Sequence, residues 1–429
     1  MIKNIFTMLA ILAIANVAKG QVWIEDSVSL QPSYTNDVYY SLKNGIQREE
    51  NSKNWHIGFS LSIADSAAVW ANHSGGARVY DINKTYSQWS SVSLNDTSTG
   101  TLIYNNDQYW SNGAFNDITS ANPFDYGWGV YNLDSHNVYG TKVFLVKANN
   151  EFYKFYIQKL VALPMEWYFE YAKFDSLGVA GTSILDTLKK QNGYQDNLFA
   201  YYNLTTGTDT NREAPAPTWD IHFIRYTTDA PGSGQLVNNN VVGALMNRGA
   251  LATRVQQIPA DTVFQNAYTY TPNLSPIIST IGYNWKTPPP PPTWTILDSN
   301  SYLIKEKNGG IYLLEFLNFG GNTTGKIYFR KAIVEPTSIK DVNAKVSSFS
   351  FYPMPASNEL NLVLDAKESQ QATLSLVDLS GKKIVTQILN VQAGLNAFKL
   401  PTSQFANGNY IVNIQGDGIN ISQQVSISK

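Results

Sequence analysis

Lys142-Val-Phe-Leu-Val-Lys147, then Asn149-Asn150, then Glu151-Phe-Tyr-Lys-Phe-Tyr-Ile157 is the stretch on which the fold turns. Branched and aromatic residues crowd both runs, as they do on pleated, half-buried strands. A short Asn pair between two such runs reads as a β-hairpin. Ser301-Tyr-Leu-Ile-Lys305, the turn Asn308-Gly309 and Ile311-Tyr-Leu-Leu-Glu-Phe316 read the same way, about 160 residues later.

Two such similar hairpins point to an internal repeat. Tyr39-Tyr40-Ser-Leu42-Lys-Asn-Gly45 matches Tyr201-Tyr202-Asn-Leu204-Thr-Thr-Gly207 without a gap. Asn54-Trp55-His-Ile57-Gly-Phe59 matches Thr218-Trp219-Asp-Ile221-His-Phe223, and after the hairpins Glu166-Trp-Tyr168-Phe169 matches Lys326-Ile-Tyr328-Phe329. Landmarks in one order at a nearly constant offset are expected of a duplicated β-module. Within it, the period-two pattern places Trp55, Ile57 and Phe59 on one sheet face and Trp219, Ile221 and Phe223 on its equivalent, with His56 and His222 turned away.

The composition agrees with a β-rich chain. Of 429 residues, 13% are aromatic and only 15% charged, so helices rich in Glu and Lys are not expected. A length of 429 allows two to four domains with cores that need no disulfide staples. The formal net charge of −2 gives no reason to expect nucleic acid as a partner. With no cysteine, disulfides, thiolate nucleophiles, iron–sulfur clusters and covalently attached haem are excluded.

Lys3 followed by the apolar run Ile5 to Val17, with Ala18 and Gly20 before Gln21, reads as a signal peptide cleaved after residue 20. No other run is long and apolar enough to span a bilayer, so no transmembrane segment is expected in the mature protein. The rest divides into a first β module at 21–175, a second at 176–334, a polar linker at 335–350 and a small β-sandwich at 351–429. Ser176 to Gln195, with Leu177, Leu185 and Leu188, is expected to include a short helix, and Leu236 to Gln257 to join loops and short strands. Pro288 to Pro292 reads as an internal spacer loop.

The last 80 or so residues carry Tyr352-Pro353-Met-Pro355, Leu376-Val-Asp378-Leu-Ser-Gly381-Lys382, Phe405-Ala-Asn-Gly408-Asn-Tyr410 and the terminal Lys429. In these motifs they resemble the type A sorting domain of the type IX secretion system, with Met354 departing from the usual Asn. Asp378 with Gly381, and Gly408, are expected in tight turns. The resemblance implies recognition by the outer-membrane translocon, then removal of the domain as the cargo is released or attached to the surface.

Thr218-Trp219-Asp220-Ile221-His-Phe-Ile-Arg225-Tyr226, Pro231-Gly-Ser-Gly234, the hairpin Tyr302 to Phe316 and Gly325-Lys-Ile-Tyr-Phe329 form a second set of ordered blocks, and Lys53 to Phe59 with the first hairpin repeat them in part. In these blocks the cargo resembles the HmuY-like family of secreted haem-binding proteins. The likeness implies an all-β fold, as two tandem modules, gripping haem through axial His or Met. The candidate ligands are His73, His136 and Met246, all expected in loops between the Trp strand and the hairpin. The residue matching His73 in the second module is not a histidine, so two identical sites are not expected.

No metal ligand set, nucleophile elbow, P-loop or dinucleotide fingerprint is present, and the expectation is a ligand-binding protein, not an enzyme. Asp209-x-Asn211-x-Glu213 has the oxygen spacing of a calcium loop but reads more simply as turn chemistry. An alternative to haem is a glycan- or protein-binding surface in which Trp70, Trp89, Trp110 and Trp128 stack on the partner. A hydrolase assembled from distant loops is a third reading.

Overall fold

The computed structural model describes residues 22–62, 67–116, 121–229, 236–287, 294–307, 309–334, 345–353, 355–378 and 382–429. The signal peptide, Pro231 to Gly234, Pro288 to Pro292, Asn308, linker residues 335–344, Met354 and Gly381 lie outside them. The chain forms two compact units, residues 1–334 (the cargo) and 335–429. Strands dominate both, as the composition implies.

The cargo opens with β1 (Ile24–Ser29), β2 (Asn36–Ser41) and β3 (Gly45–Asn51). A continuous run follows: β4 (Ile57–Ser60), β5 (Val69–Ala71), β6 (Arg78–Lys84), β7 (Thr101–Ile103), β8 (Gly129–Asn132), β9 (Asn137–Gly140), β10 (Val143–Ala148), β11 (Glu151–Val161), β12 (Glu166–Lys173), β13 (Ile184–Lys189), β14 (Phe199–Asn203) and β15 (Thr208–Thr210). The third stretch holds β16 (Ile221–Asp229), β17 (Leu236–Met246), β18 (Leu251–Gln256), β19 (Lys286–Thr287), β20 (Thr295–Ile296), β21 (Asn300–Lys305), β22 (Ile311–Phe319) and β23 (Lys326–Ile333).

These strands make two lobes with one topology. In lobe I the larger sheet runs β13-β12-β11-β10-β6-β7, with β9 joined to β11, and the smaller runs β15-β14-β4-β5. In lobe II the corresponding orders are β1-β23-β22-β21-β18 and β3-β2-β16-β17. Even an irregularity is shared: β11 shifts register between Ile157 and Lys159 against β12, and β22 between Phe316 and Asn318 against β23.

Segments are exchanged between the halves. The opening strands β1 to β3 do not join β4 to β12; they complete lobe II, where β1 pairs β23 from Ile24↔Lys331 to Ser29↔Lys326. Likewise β13 to β15 complete lobe I, β13 pairing β12 from Glu166↔Lys189 to Tyr171↔Ile184. A cut at 175/176 therefore falls between two hydrogen-bonded neighbours. The cores follow the lobes. Phe59, Trp128, Phe155, Trp167 and Tyr202 pack in lobe I, and Val28, Tyr40, Phe223, Trp285 and Phe329 in lobe II. Truncating one of these buried rings to Ala is expected to cost about 3–5 kcal/mol.

Local expectations differ from the structure in three places. Ser176 to Gln195 contains β13 and no helix: Leu188 enters the lobe I core while Leu177 and Leu185 stay exposed. Leu236 to Gln257 holds the long strand β17 and then β18, because pairing with β16 accommodates even the polar run Asn238-Asn-Asn240. Trp55 and Trp219 precede their strands, so the alternation breaks there. Ile57 with Phe59, and Ile221 with Phe223, enter the lobe cores, while both tryptophans pack between the lobes.

The second unit is a small sandwich. One sheet joins β24 (Val346–Tyr352), β25 (Glu359–Ala366) and β28 (Gly394–Pro401); the other orders β27 (Lys383–Val391), β26 (Gln370–Asp378), β29 (Gly408–Gly416) and β30 (Ile419–Ile427) as β27-β26-β29-β30. Leucines and valines alternating along the strands fill the space between. Asp378 closes the β26–β27 turn by accepting the Lys382 amide at 3.0 Å. Gly408 opens β29 in extended backbone, not a tight turn. Tyr410 donates its hydroxyl to the Ala406 carbonyl at 2.9 Å, and the Lys429 ammonium caps the Phe405 carbonyl at 2.6 Å. Pro353 follows β24, and Pro355 is exposed.

Candidate ligand site between the lobes

Matching residues hold each lobe in the same way. Tyr40 donates its hydroxyl to Asp26 at 2.5 Å in lobe II, and Tyr202 to Asp186 at 2.5 Å in lobe I. The Asn72 amide donates to the carbonyls of Ser52 and Trp55, and that of Asn247 to Ala216 and Trp219. The Leu42 amide is capped by the Asp220 carboxylate at 2.7 Å; the equivalent Leu204 amide is capped by His56 Nδ1 at 3.1 Å. His56 is thereby occupied as a structural acceptor.

The chain passes between lobes at 52–56 and 211–220, and both segments deliver a tryptophan to the boundary. There the equivalent Tyr39 and Tyr201 meet hydroxyl to hydroxyl at 3.4 Å. Arg212, with no exposed surface, pairs with Asp37 of β2 at 2.6 Å and lies over the rings of Trp55 and Tyr201. Burial opposes its charge, but Asp37, Tyr39 and Tyr201 outweigh it and raise its pKa. Burial raises the Asp37 carboxyl, against the lowering effect of Arg212. Neighbouring Glu213 accepts the amides of Leu198 and Phe199 at 2.9 and 3.0 Å, yet burial pushes its pKa up to about 7. Asp209, Asn211 and Glu213 do not converge on a cation: Asp209 accepts from Tyr194 and Asn211 from Asn197.

Beside this ion pair lies a cleft whose walls come from both lobes. Lobe I supplies Trp55, Trp70, His73, Trp110, Phe199 and Tyr201; lobe II supplies His222, Ile224, Tyr226 and Leu245. About 530 Å³ between its walls is free of atoms, the open mouth included, but the centre of a water-sized body can move in only about 40 Å³.

Local packing builds the wall. After β5 the turn 72–77 is braced by Asn72 Oδ1, which accepts the Gly75 amide at 2.9 Å; a Cβ on Gly75 would stand 2.3 Å from the Asn72 side chain. Asn105 pins the following loop to β5 by accepting the amides of Ala71 and Ala114, each at 3.0 Å. Gly113 allows close approach, since a Cβ there would lie 2.1 Å from the Val69 carbonyl oxygen. Trp70 then donates to the Trp110 carbonyl at 2.9 Å, and Trp110 donates across the boundary to the Met246 carbonyl at 3.0 Å.

Four lining residues carry a buried polar atom without a hydrogen-bond partner: Trp55 Nε1, His73 Nε2, the Tyr226 hydroxyl and His222 Nε2, the last 4.0 Å from the Asp37 carboxylate. Such atoms are rare in folded proteins because water or a partner normally satisfies them. The state of His73 follows from its neighbour. Nδ1 lies 3.1 Å from the Ala77 carbonyl, which only accepts, so Nδ1 holds the proton. Burial lowers its pKa to about 4, leaving the ring neutral and Nε2 a free acceptor. Burial, and then Arg212, also hold His222 well below its ordinary pKa; its ring stacks on Tyr39 at 4.1 Å.

The structure does not bring the three haem-ligand candidates together. His73 lines the cleft. Met246 neighbours the lining residue Leu245 on β17, and alternation turns it into the lobe II core with no exposed surface. His136 sits on the exposed turn between β8 and β9, its Nδ1 2.8 Å from the Tyr131 hydroxyl. Of the three candidates only His73 lines the cleft, so no two of them can ligate one haem iron there. The residues present do not fit haem. Of the tryptophans expected to stack on a partner, Trp70 and Trp110 are walls of the cleft, Trp128 is lobe I core, and Trp89 is half-buried under Lys154. Among the described residues no group of three or more His, Cys, Asp or Glu gathers to hold a metal, and no helix is long and apolar enough to cross a membrane.

Sequence reasoning found His73 as a loop residue and read Glu213 only as turn chemistry. It missed Arg212 and the meeting of Trp55 and His222 at one cleft, because the lining comes from separate stretches of both lobes.

Comparison with curated proteins returns no match for the chain. Residues 350–428 match the family model of the secretion system C-terminal sorting domain. The seven strands β24 to β30 thus carry an export signal, and the protein reaches the cell surface or the medium through the type IX system after periplasmic transit.

Proposed function

We propose that the exported cargo is a ligand-binding protein without enzymatic activity, and that its ligand occupies the cleft between the lobes. One observation carries this reading. Four unpartnered buried polar atoms belong to residues lining a single aromatic cleft. Each represents lost hydration of about 1–3 kcal/mol unless something fills the space. The site is built from both lobes, as ligand sites at domain boundaries commonly are. Haem is the less favoured ligand, since His73, His136 and Met246 lie apart.

The test is a thermal-shift and tryptophan-fluorescence screen of the whole mature chain against neutral and charged small molecules, haemin among them. Binding that is lost in both Trp110→Ala and His73→Phe supports the reading. A panel that shifts nothing, or shifts the variants as much as the wild type, overturns it. A Soret band formed with haemin and lost in His73→Ala would reinstate haem.

A further inference from the structure

We infer that the cleft takes an uncharged, hydroxyl-bearing ring of the carbohydrate class, inserted edge-first. The inference rests on the reading of the cleft as a binding site and adds the chemistry of its occupant. Charge is the first argument. Trp55 offers a neutral donor, His73 Nε2 a neutral acceptor, and His222 and the Tyr226 hydroxyl are uncharged at neutral pH. Arg212, the cation buried at the boundary, is already paired with Asp37 at 2.6 Å and bonded to Asn54 at 3.0 Å. Arg225 also lines the cleft, but alternation along β16 sends its side chain to the Ile221–Phe223 face, where its charge acts on Tyr34. An ionised ligand would therefore enter without a counter-charge, and burying an unpaired charge is strongly unfavourable.

The walls supply the second argument. Trp55, Trp70, Trp110 and Phe199 present aromatic surface suited to the C–H face of a sugar or to another ring. The polar atoms then choose between these. Unpartnered donors and acceptors on four of the lining residues, His73 Nε2 and Trp55 Nε1 foremost, match a ligand dense in hydroxyls. A purely apolar ring would leave all of them unsatisfied. The shape sets the approach. With only about 40 Å³ for the centres of water-sized bodies, a ring edge or hydroxymethyl group enters while the rest of the ligand remains at the opening.

The experiment is calorimetric titration of the full mature chain with neutral hexoses and N-acetylhexosamines, the matching uronic acids, indole, adenine and haemin. The expected result is binding of at least one neutral sugar, at least tenfold tighter than its uronic acid, and weakened at least tenfold by His73→Phe, which keeps a ring but removes the acceptor. Should His73→Phe fail to fold, Tyr226→Phe removes one hydroxyl and is expected to weaken the same sugar severalfold. If indole, adenine, haemin or a uronic acid binds instead, with the same dependence on His73, the carbohydrate assignment falls and the cleft remains a site. If no probe binds, both readings fall.

Discussion

At one place in lobe II a carboxylate, Asp220, caps the amide of Leu42; at the matching place in lobe I an imidazole, His56, caps Leu204. The chemistry differs and the function in the fold is the same. The Tyr40–Asp26 and Tyr202–Asp186 pairs, and the Asn72 and Asn247 braces, go further and keep the residue type. Around the cleft the lobes part company. His73 follows Asn72 where Arg248 follows Asn247, and Trp70 two places earlier is matched by Leu245. Arg212 and Glu213, on the second passage, form the buried charge cluster, while the first passage contributes the neutral Asn54. Shared residues mark the scaffold. Divergent ones gather where the lobes meet, which is where a duplicated frame acquires a single site.

The comparison is broken most severely by deleting residues up to Leu30. Lobe II would lose β1, Val28, Leu30 and the Tyr40–Asp26 bond, while lobe I, continuous from 57 to 210, loses nothing. Limited proteolysis should then leave a resistant core from lobe I alone; equal digestion of both would refute the lobe boundaries. Next in size is Asp37→Ala. It strands Arg212 in the interior and should cost about 3–5 kcal/mol in denaturant unfolding, and an effect under about 1 kcal/mol would deny the pair its place between the lobes.

Glu213 gives a pH signature. Its folded pKa of about 7 stands above the ordinary carboxyl range, so its contribution to stability is complete below about pH 4.3 and is lost as pH rises through about 7. Glu213→Gln removes that titration, although its amide meets a backbone N–H that the carboxylate accepted. The wild type's advantage over the variant should therefore narrow by about 1–3 kcal/mol between about pH 5 and about pH 8.5. A constant gap would place Glu213 in water. The finest test sets Tyr40→Phe beside Tyr202→Phe. Each loses a bond to a carboxylate, about 1 kcal/mol or somewhat more. Tyr40→Phe should be the costlier, since the second partner of the Tyr40 hydroxyl is the buried Lys331 ammonium, whereas that of Tyr202 is the neutral Tyr171 hydroxyl.

Much of the frame was legible in the sequence. The run 142–157 forms β10 and β11, in register from Val143↔Tyr156 to Ala148↔Glu151, with Asn149 and Asn150 both at positive φ as a tight hairpin turn requires. The landmarks Tyr39-Tyr40 and Tyr201-Tyr202 lie on equivalent strands. Partnership was not legible, because alternation reports which face a residue takes and is silent on which strand lies alongside. For that reason the residues of β1 were placed in the first module and those of β13 in the second, the reverse of the lobes they complete. Leu177, Leu185 and Leu188 suggested a helix, although only Leu188 is buried. The cleft escaped for a related reason. Its wall is made of the turn 72–77, the loop 105–116 and strands from both lobes, and no short motif contains more than one of them.

The pairing of β1 with β23 has a further consequence. Trp23 packs in the same cluster as Val334, so the two ends of the cargo lie side by side. Lobe II is interrupted only because the chain happens to open within it. Tying residue 22 to residue 334 and reopening the backbone within 52–56 would make a circular permutant in which each lobe is one unbroken stretch and every strand keeps its neighbours, since closely placed termini permit such rewiring. Its refolding should be faster than that of the natural order, because β1 would no longer wait some 300 residues for its mate.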